Sequence, residues 1–135
     1  MEPLANVQIV TNEVVIKNND LQPGEFTVSP VFARKTGMIS ETVAFVELTA
    51  IIENTVENPF PIDIKVRLTG IFDLVNFPKE QYKQFMDVTA VQILFPYVRS
   101  IITNATSSAL MPPIILPIID VKKLFPDESS QDQGL

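Results

Sequence analysis

Leu94-Phe-Pro-Tyr-Val-Arg-Ser-Ile-Ile-Thr-Asn-Ala-Thr-Ser-Ser-Ala-Leu-Met-Pro-Pro-Ile-Ile-Leu-Pro-Ile-Ile-Asp120 is the stretch on which the fold turns. Between Arg99 and Asp120 it holds no charged residue, in a chain that is 19% charged. A membrane-spanning helix needs ~20 predominantly apolar residues in one helical run. Here Thr103, Asn104, Thr106, Ser107 and Ser108 interrupt the apolar character, and Pro112, Pro113 and Pro117 forbid helix beyond them. The stretch therefore reads as a helix with one apolar face, followed by an extended hydrophobic arm. Val91, Leu94, Val98, Ile101, Ile102 and Ala105 recur at helical spacing and form the stripe that seeks a core. Pro96 either opens this main helix at its first turn or kinks a longer one begun near Asp87. The arm after Ser108 cannot bond to itself, so its side chains must lie on another surface of the chain or on a partner.

Upstream, the pattern changes to a period of two. Val7, Ile9, Val10, Val14, Val15 and Ile16 predict a first strand from Asn6 to Lys17, with a bulge where the alternation breaks near Val10-Thr11. After a loop over 18–24, a second strand is expected at about Glu25–Lys35, with Phe26, Val28 and Phe32 on one side. Pro30 marks it as an edge or bulged strand. Ala44, Val46, Leu48, Ala50 and Ile52 line one face of a third strand, Thr42–Asn54. A fourth sets Phe60, Ile62, Ile64, Val66 and Leu68 against Asp63, Lys65, Arg67 and Thr69, with Gly70 expected to bend it. Pro78–Met86 suits a short helix, and Asp87 or Thr89 can cap the main one. A further short helix opens at Asp120 and stops at Pro126. Strands first and helices after predict an α+β fold: an antiparallel sheet with one long and one short helix on one face. Residues 1–125 read as a single domain and 126–135 as a disordered acidic tail.

Composition narrows the function. At 135 residues and 46% hydrophobic, the chain can bury a real core. It has no cysteine and no histidine, which removes thiolate, imidazole and Ser-His chemistry. A net charge of −6 argues against nucleic acid as a partner. The amino terminus lacks both a basic region and a long apolar run, so a cytoplasmic protein without membrane insertion is expected. Glu41, Glu47, Glu53 and Glu57 are the candidate acid–base carboxylates. Glu47 and Glu53 share a sheet face, but about six residues of strand separate them by roughly 20 Å, beyond the reach of an acid–base pair. The glycines are isolated and build no phosphate cradle. No enzyme activity, metal or cofactor is expected. The informative signal is surplus apolar surface. Val43, Phe45 and Ile51 lie opposite the core face of the third strand, and the arm adds Leu110, Met111, Ile114, Ile115, Leu116, Ile118 and Ile119. So small a domain has few layers to hide both, which points to an oligomer contact and a groove for other chains.

The Leu94-Phe-Pro-Tyr-Val-Arg99 helix start, the Met111-Pro-Pro-Ile-Ile-Leu-Pro117 connection and Asp120-Val-Lys-Lys-Leu-Phe125 resemble the carboxy-terminal half of the SecB export chaperones. Thr69-Gly-Ile-Phe72 is similar to the segment that ends the last strand in that family. The resemblance implies a four-stranded sheet in Greek-key order, with a crossover loop between strands 1 and 2. It implies an ATP-independent holdase that binds non-native polypeptides in apolar grooves, assembled as a homotetramer from two dimers. The polypeptide-binding residues would then be Leu21 and Phe26 from the crossover region, Leu110, Met111, Ile114 and Leu116 from the arm, and Leu124 and Phe125 beyond it. Small polar residues of the main helix, Thr103 to Ser108, would let helices meet between dimers.

The resemblance also implies a carboxylate face on the first and last strands that docks the SecA motor. The matching positions here are Glu13, Lys17, Asp63 and Lys65, so two of the contacts are basic and docking is expected to be weak. Two other functions fit the same residues. One is a dedicated interaction module holding a specific partner such as an antitoxin. The other is a carrier of apolar small molecules in a cavity between sheet and helices.

Overall fold

The computed structural model describes residues 6–22, 24–116 and 124–125. Its strands are β1 (Asn6–Asn18), β2 (Val31–Met38), β3 (Val43–Ile52) and β4 (Ile62–Asp73). They form one antiparallel sheet in the order β1-β4-β3-β2. The first two strands thus lie at opposite edges, and the chain crosses the sheet between them, as the resemblance implied.

The bulge in β1 sets which side chains face the core. Pairing steps from Thr11↔Leu68 to Glu13↔Arg67, leaving Asn12 as the extra residue. Before it, Val7 and Ile9 lie beside the core positions Phe72 and Gly70; after it, Val14 and Ile16 lie beside Val66 and Ile64. Without the insertion a one-residue slip would turn Glu13 and Val15 inward instead. The Asn12 side chain is itself held, since Oδ1 accepts from Thr69 Oγ1 at 2.6 Å.

The third and fourth strands fill the centre. Ala44, Val46, Leu48, Ala50 and Ile52 are all buried, as are Ile62, Ile64, Val66, Leu68 and Phe72 across from them. Gly70 does not bend β4. The strand runs through it, pairing with Ile9 on one side and Val46 on the other. A Cβ at this position would lie 2.7 Å from the Phe72 ring and 3.1 Å from Leu94 Cδ2. Glycine is needed here for the close approach of the helix. The second strand also differs from expectation, starting after Pro30 and continuing through Thr36-Gly-Met38. Proline cannot donate to a ladder, and β2 begins only after Pro30, leaving residues 25–30 as loop. Gly37 continues the strand because the Phe45 ring occupies the space of its missing side chain.

The chain is helical from Lys79 to Ser108. A 3-10 turn (Lys79–Gln81) leads into α1 (Tyr82–Gln84), a π turn (Phe85–Thr89) and α2 (Ala90–Ser108). Neither Asp87 nor Thr89 caps α2, because both lie within the continuous run. The Asp87 carbonyl instead accepts Arg34 Nη1 at 2.6 Å, inside the wide turn. Pro96 sits inside α2, so it belongs to a longer helix rather than to a helix start. By length and composition Lys79–Ser108 could cross a membrane. In the fold its apolar side, Ala90, Val91, Leu94, Phe95, Val98 and Ile102, is buried, all but Phe95 in one cluster with β3 and β4. The expected short helix from Asp120 and the tail over 126–135 fall largely or wholly outside the described residues. Leu124 and Phe125 pack, partly buried, against the core.

A candidate polypeptide-binding cleft

The end of α2 launches the arm. Leu110 N donates to Ser107 O at 3.1 Å and Met111 N to Thr106 O at 3.0 Å. This bond pair is the Schellman closure, whose left-handed position is usually glycine. Here Leu110 occupies it at φ 62°, with its side chain 95% exposed. Leu110 therefore points into solvent at the helix end.

Beyond it, α2 holds the arm by side-chain bonds. Thr103 Oγ1 donates to Ile114 O at 2.8 Å, and Ile114 N donates to Thr106 Oγ1 at 3.0 Å. Arg99 Nε donates to Leu116 O at 3.0 Å. Thr103 and Thr106, expected at a contact between dimers, thus satisfy the backbone of a segment whose prolines bar it from a ladder. The held segment alternates like a strand. Ile114 and Leu116 turn inward and are buried, while Ile115 between them is 72% exposed.

The facing wall is the crossover loop. Asn19 N donates to Pro61 O at 2.8 Å. Its amide Nδ2 donates to Phe60 O at 3.1 Å and to Asp63 Oδ1 at 2.9 Å. The same Asp63 oxygen accepts Asn54 N at 2.8 Å, and Asn54 Oδ1 in turn accepts Phe60 N at 3.0 Å. The Asn54 backbone N–H, then the Asn19 amide, holds the Asp63 carboxyl below its ordinary range. Asp20 comes next in a left-handed conformation, φ 56°. From there Leu21, Phe26 and Val28 run beside the start of β4, with the Phe26 ring edge-on to Phe60 at 6.3 Å.

Between these walls lies a cleft of about 540 Å³. Leu21, Phe26, Val28, Phe60 and Ile62 line one side and Met111, Pro112, Pro113, Ile114 and Ile115 the other, with Asn18 and Gln22 among them. That size and an apolar lining with few polar groups suit a binding site. Of the residues named from sequence, Leu21, Phe26, Met111 and Ile114 meet here. Leu110 and Leu116 do not line it, one being in solvent and the other in the core. Leu124 and Phe125 lie elsewhere as well, with Phe125 stacked 4.4 Å beneath Arg34 Cζ. Sequence reasoning placed Phe60 and Ile62 on a core face and did not foresee them as lining. It counted Ile115 in the arm's surplus apolar surface without naming it among the polypeptide-binding residues, because Ile114, Ile115 and Leu116 are all apolar and nothing in the sequence marks which one faces outward.

The outer face of the sheet carries the four candidate docking residues. Glu13 pairs with Lys65 at 3.2 Å and with Arg67 at 3.6 Å, and Arg67 continues to Glu47 at 3.3 Å. Lys65 holds the Glu13 carboxyl below its ordinary range. Lys17 lies across the ladder from Asp63. Charges therefore alternate across β1, β4 and β3, and no block of carboxylates forms there.

Comparison with known proteins agrees with this architecture. The family described as Preprotein translocase subunit SecB matches residues 11–132. The protein-export protein SecB of Paraburkholderia xenovorans is 29% identical over 139 aligned residues, covering 98% of this chain and 89% of the relative. Its counterpart in Paraburkholderia phymatum is 32% identical, covering 72% of this chain and 62% of the relative. An uncharacterized protein of Methanocaldococcus jannaschii is 39% identical over 61 residues, and there the match spans only 39% of the relative's length. Among solved structures, the Mycobacterium tuberculosis SecB-like chaperone, in complex with a ChAD peptide from the HigA1 antitoxin, superposes with a TM-score of 0.69. That likeness covers 85% of this chain and 91% of the other at 15% identity, and it speaks for the fold. The chain belongs to the SecB family.

Proposed function

We propose that this chain is an ATP-independent holdase, which binds non-native polypeptides in the cleft between crossover loop and arm and serves protein export. The observation that carries the reading is the cleft itself, apolar on both walls and held by hydrogen bonds on both sides. Affinity there comes from burying apolar chain at ~25 cal/mol per Å², which selects little for sequence. No catalytic group or cofactor is required, and the reading places the protein in the cytoplasm without membrane insertion. Leu21, Phe26, Met111, Ile114 and Ile115 are the contacts, and Leu110 offers an exposed side chain at the cleft's approach.

A dedicated role is the second reading. It is supported by the M. tuberculosis relative, which is bound to an antitoxin peptide. The two readings differ in client range. The holdase should delay aggregation of several unrelated unfolding proteins without nucleotide. Suppression confined to one endogenous partner recovered by pull-down would favour the dedicated module. A small-molecule carrier is the weakest of the three, since the cleft lies between loop and arm rather than between sheet and helix.

The reading includes a homotetramer assembled as a dimer of dimers. Supporting it are Val7, Val10, Val14 and Val15, exposed along the open edge strand β1, and Tyr97 exposed on α2. Light scattering at micromolar protein should give a multiple of 15.1 kDa, and a monomer mass would contradict it. SecA is a weak partner in this account, because its docking face is nearly neutral. Lys17→Glu with Lys65→Glu should tighten SecA binding in a titration, since both reversals add carboxylate beside Glu13 and Asp63. Tight binding by the natural chain, unmoved by the reversals, would show that docking uses another face.

A further inference from the structure

We infer that Asp63 is a positioning residue for the cleft, holding the crossover-loop wall in place through one carboxylate oxygen. The inference rests on the cleft being the polypeptide-binding site. Oδ1 of Asp63 accepts both the Asn19 side-chain amide, at 2.9 Å, and the Asn54 backbone N–H, at 2.8 Å. One atom thus joins the end of β1, the end of β3 and the start of β4. Asn19 is the first residue beyond β1, and it is further tied by its own N–H to Pro61 O.

The clamp acts on the cleft through the residues just after Asn19. Asp20 adopts φ 56°, and its N–H is held by Asn18 Oδ1 at 2.8 Å. A left-handed residue directly after an anchored one leaves the chain a single exit direction. The next residue is Leu21, on the cleft wall, and Phe26 then closes on Phe60, whose carbonyl also accepts the Asn19 amide. Releasing Asn19 would let the wall swing while leaving the buried faces of β3 and β4 intact.

A positioning role and a docking role demand different things of Asp63. Docking a cationic partner needs the negative charge. Positioning needs only an acceptor oxygen at the Oδ1 position, which asparagine also supplies. The same clamp can be opened from its other end by Asn19→Ala, which changes no charge and leaves β4 untouched.

The test measures affinity for reduced, carboxymethylated α-lactalbumin by fluorescence anisotropy, with thermal unfolding and hydrogen exchange at the backbone N–H of residue 19, the donor to Pro61 O, followed in parallel. Asp63→Ala and Asn19→Ala should each weaken binding about fivefold and speed exchange at that N–H. The double variant should lose less than the two single losses combined, because the Asn19–Asp63 bond is common to both, whereas Asp63→Ala also frees the Asn54 N–H and Asn19→Ala also frees the Phe60 carbonyl. Asp63→Asn should restore binding to within about twofold of the natural chain, the change expected when the hydrogen bonds persist. Equal losses for Asp63→Asn and Asp63→Ala would overturn the proposal in favour of a charge effect. So would wild-type affinity in Asn19→Ala, provided Ile115→Asp still weakens binding by roughly thirtyfold. If Ile115→Asp has no effect either, the cleft itself is not the site and the clamp proposal falls with it.

Discussion

Ile115→Asp should weaken binding of unfolded α-lactalbumin by roughly thirtyfold, the loss of ~2 kcal/mol that burying one such side chain provides. Ile115 is 72% exposed in the folded chain, so a bound polypeptide would cover surface that the fold does not. Its backbone position is set by neighbours on both sides. Ile114 is held at N and O by Thr106 and Thr103, and Leu116 O by Arg99. The aspartate would therefore stand in the cleft rather than swing away, and a client would have to desolvate it. Thermal unfolding should stay unchanged, because an exposed side chain contributes little to stability. Anisotropy titration and a melt on the same sample check both halves. Unaltered affinity would exclude the arm as a wall of the site.

One residue earlier the outcome reverses. Ile114→Asp should destabilise the fold by about 3–5 kcal/mol, since it places a carboxylate in an apolar core. Ile114 is 8% exposed and belongs to the central cluster. Leu110→Asp, by contrast, should change stability by no more than about 0.5 kcal/mol, its side chain lying in solvent. Urea unfolding of the two single variants separates them. Similar stabilities would mean that the arm does not close the core as described.

This contrast shows where the sequence was legible. The inner faces of β3 and β4 could be read because strict alternation leaves little choice of side, and the β1 bulge could be read because the alternation breaks. The same alternation runs through Ile114, Ile115 and Leu116, but three apolar residues in a row carry no mark of which points inward. That choice is made by Thr103, Thr106 and Arg99 on the neighbouring helix. The continuity of the helix past Asp87 was hidden for a similar reason. Asp87 and Thr89 are good caps locally, and the contact that engages the Asp87 carbonyl comes from Arg34, on the distant strand β2. Asp63 reads from sequence as one more surface carboxylate on the polar face of β4. Its oxygen is taken by Asn19 at the end of β1, a neighbour that only the strand order reveals. Phe60 could be recognised as buried but not as lining, because the wall it meets arrives from the crossover.

The central claim is that non-native chain lies between crossover loop and arm, and site-specific photocrosslinking tests it most directly. A benzophenone amino acid would replace Ile115 at the cleft and, separately, Val75 beyond the opposite end of β4, where the side chain is also more than half exposed. Irradiation with reduced, carboxymethylated α-lactalbumin should yield adducts from position 115 and background levels from position 75. Equal yields from both positions, or adducts from 75 alone, would contradict the account.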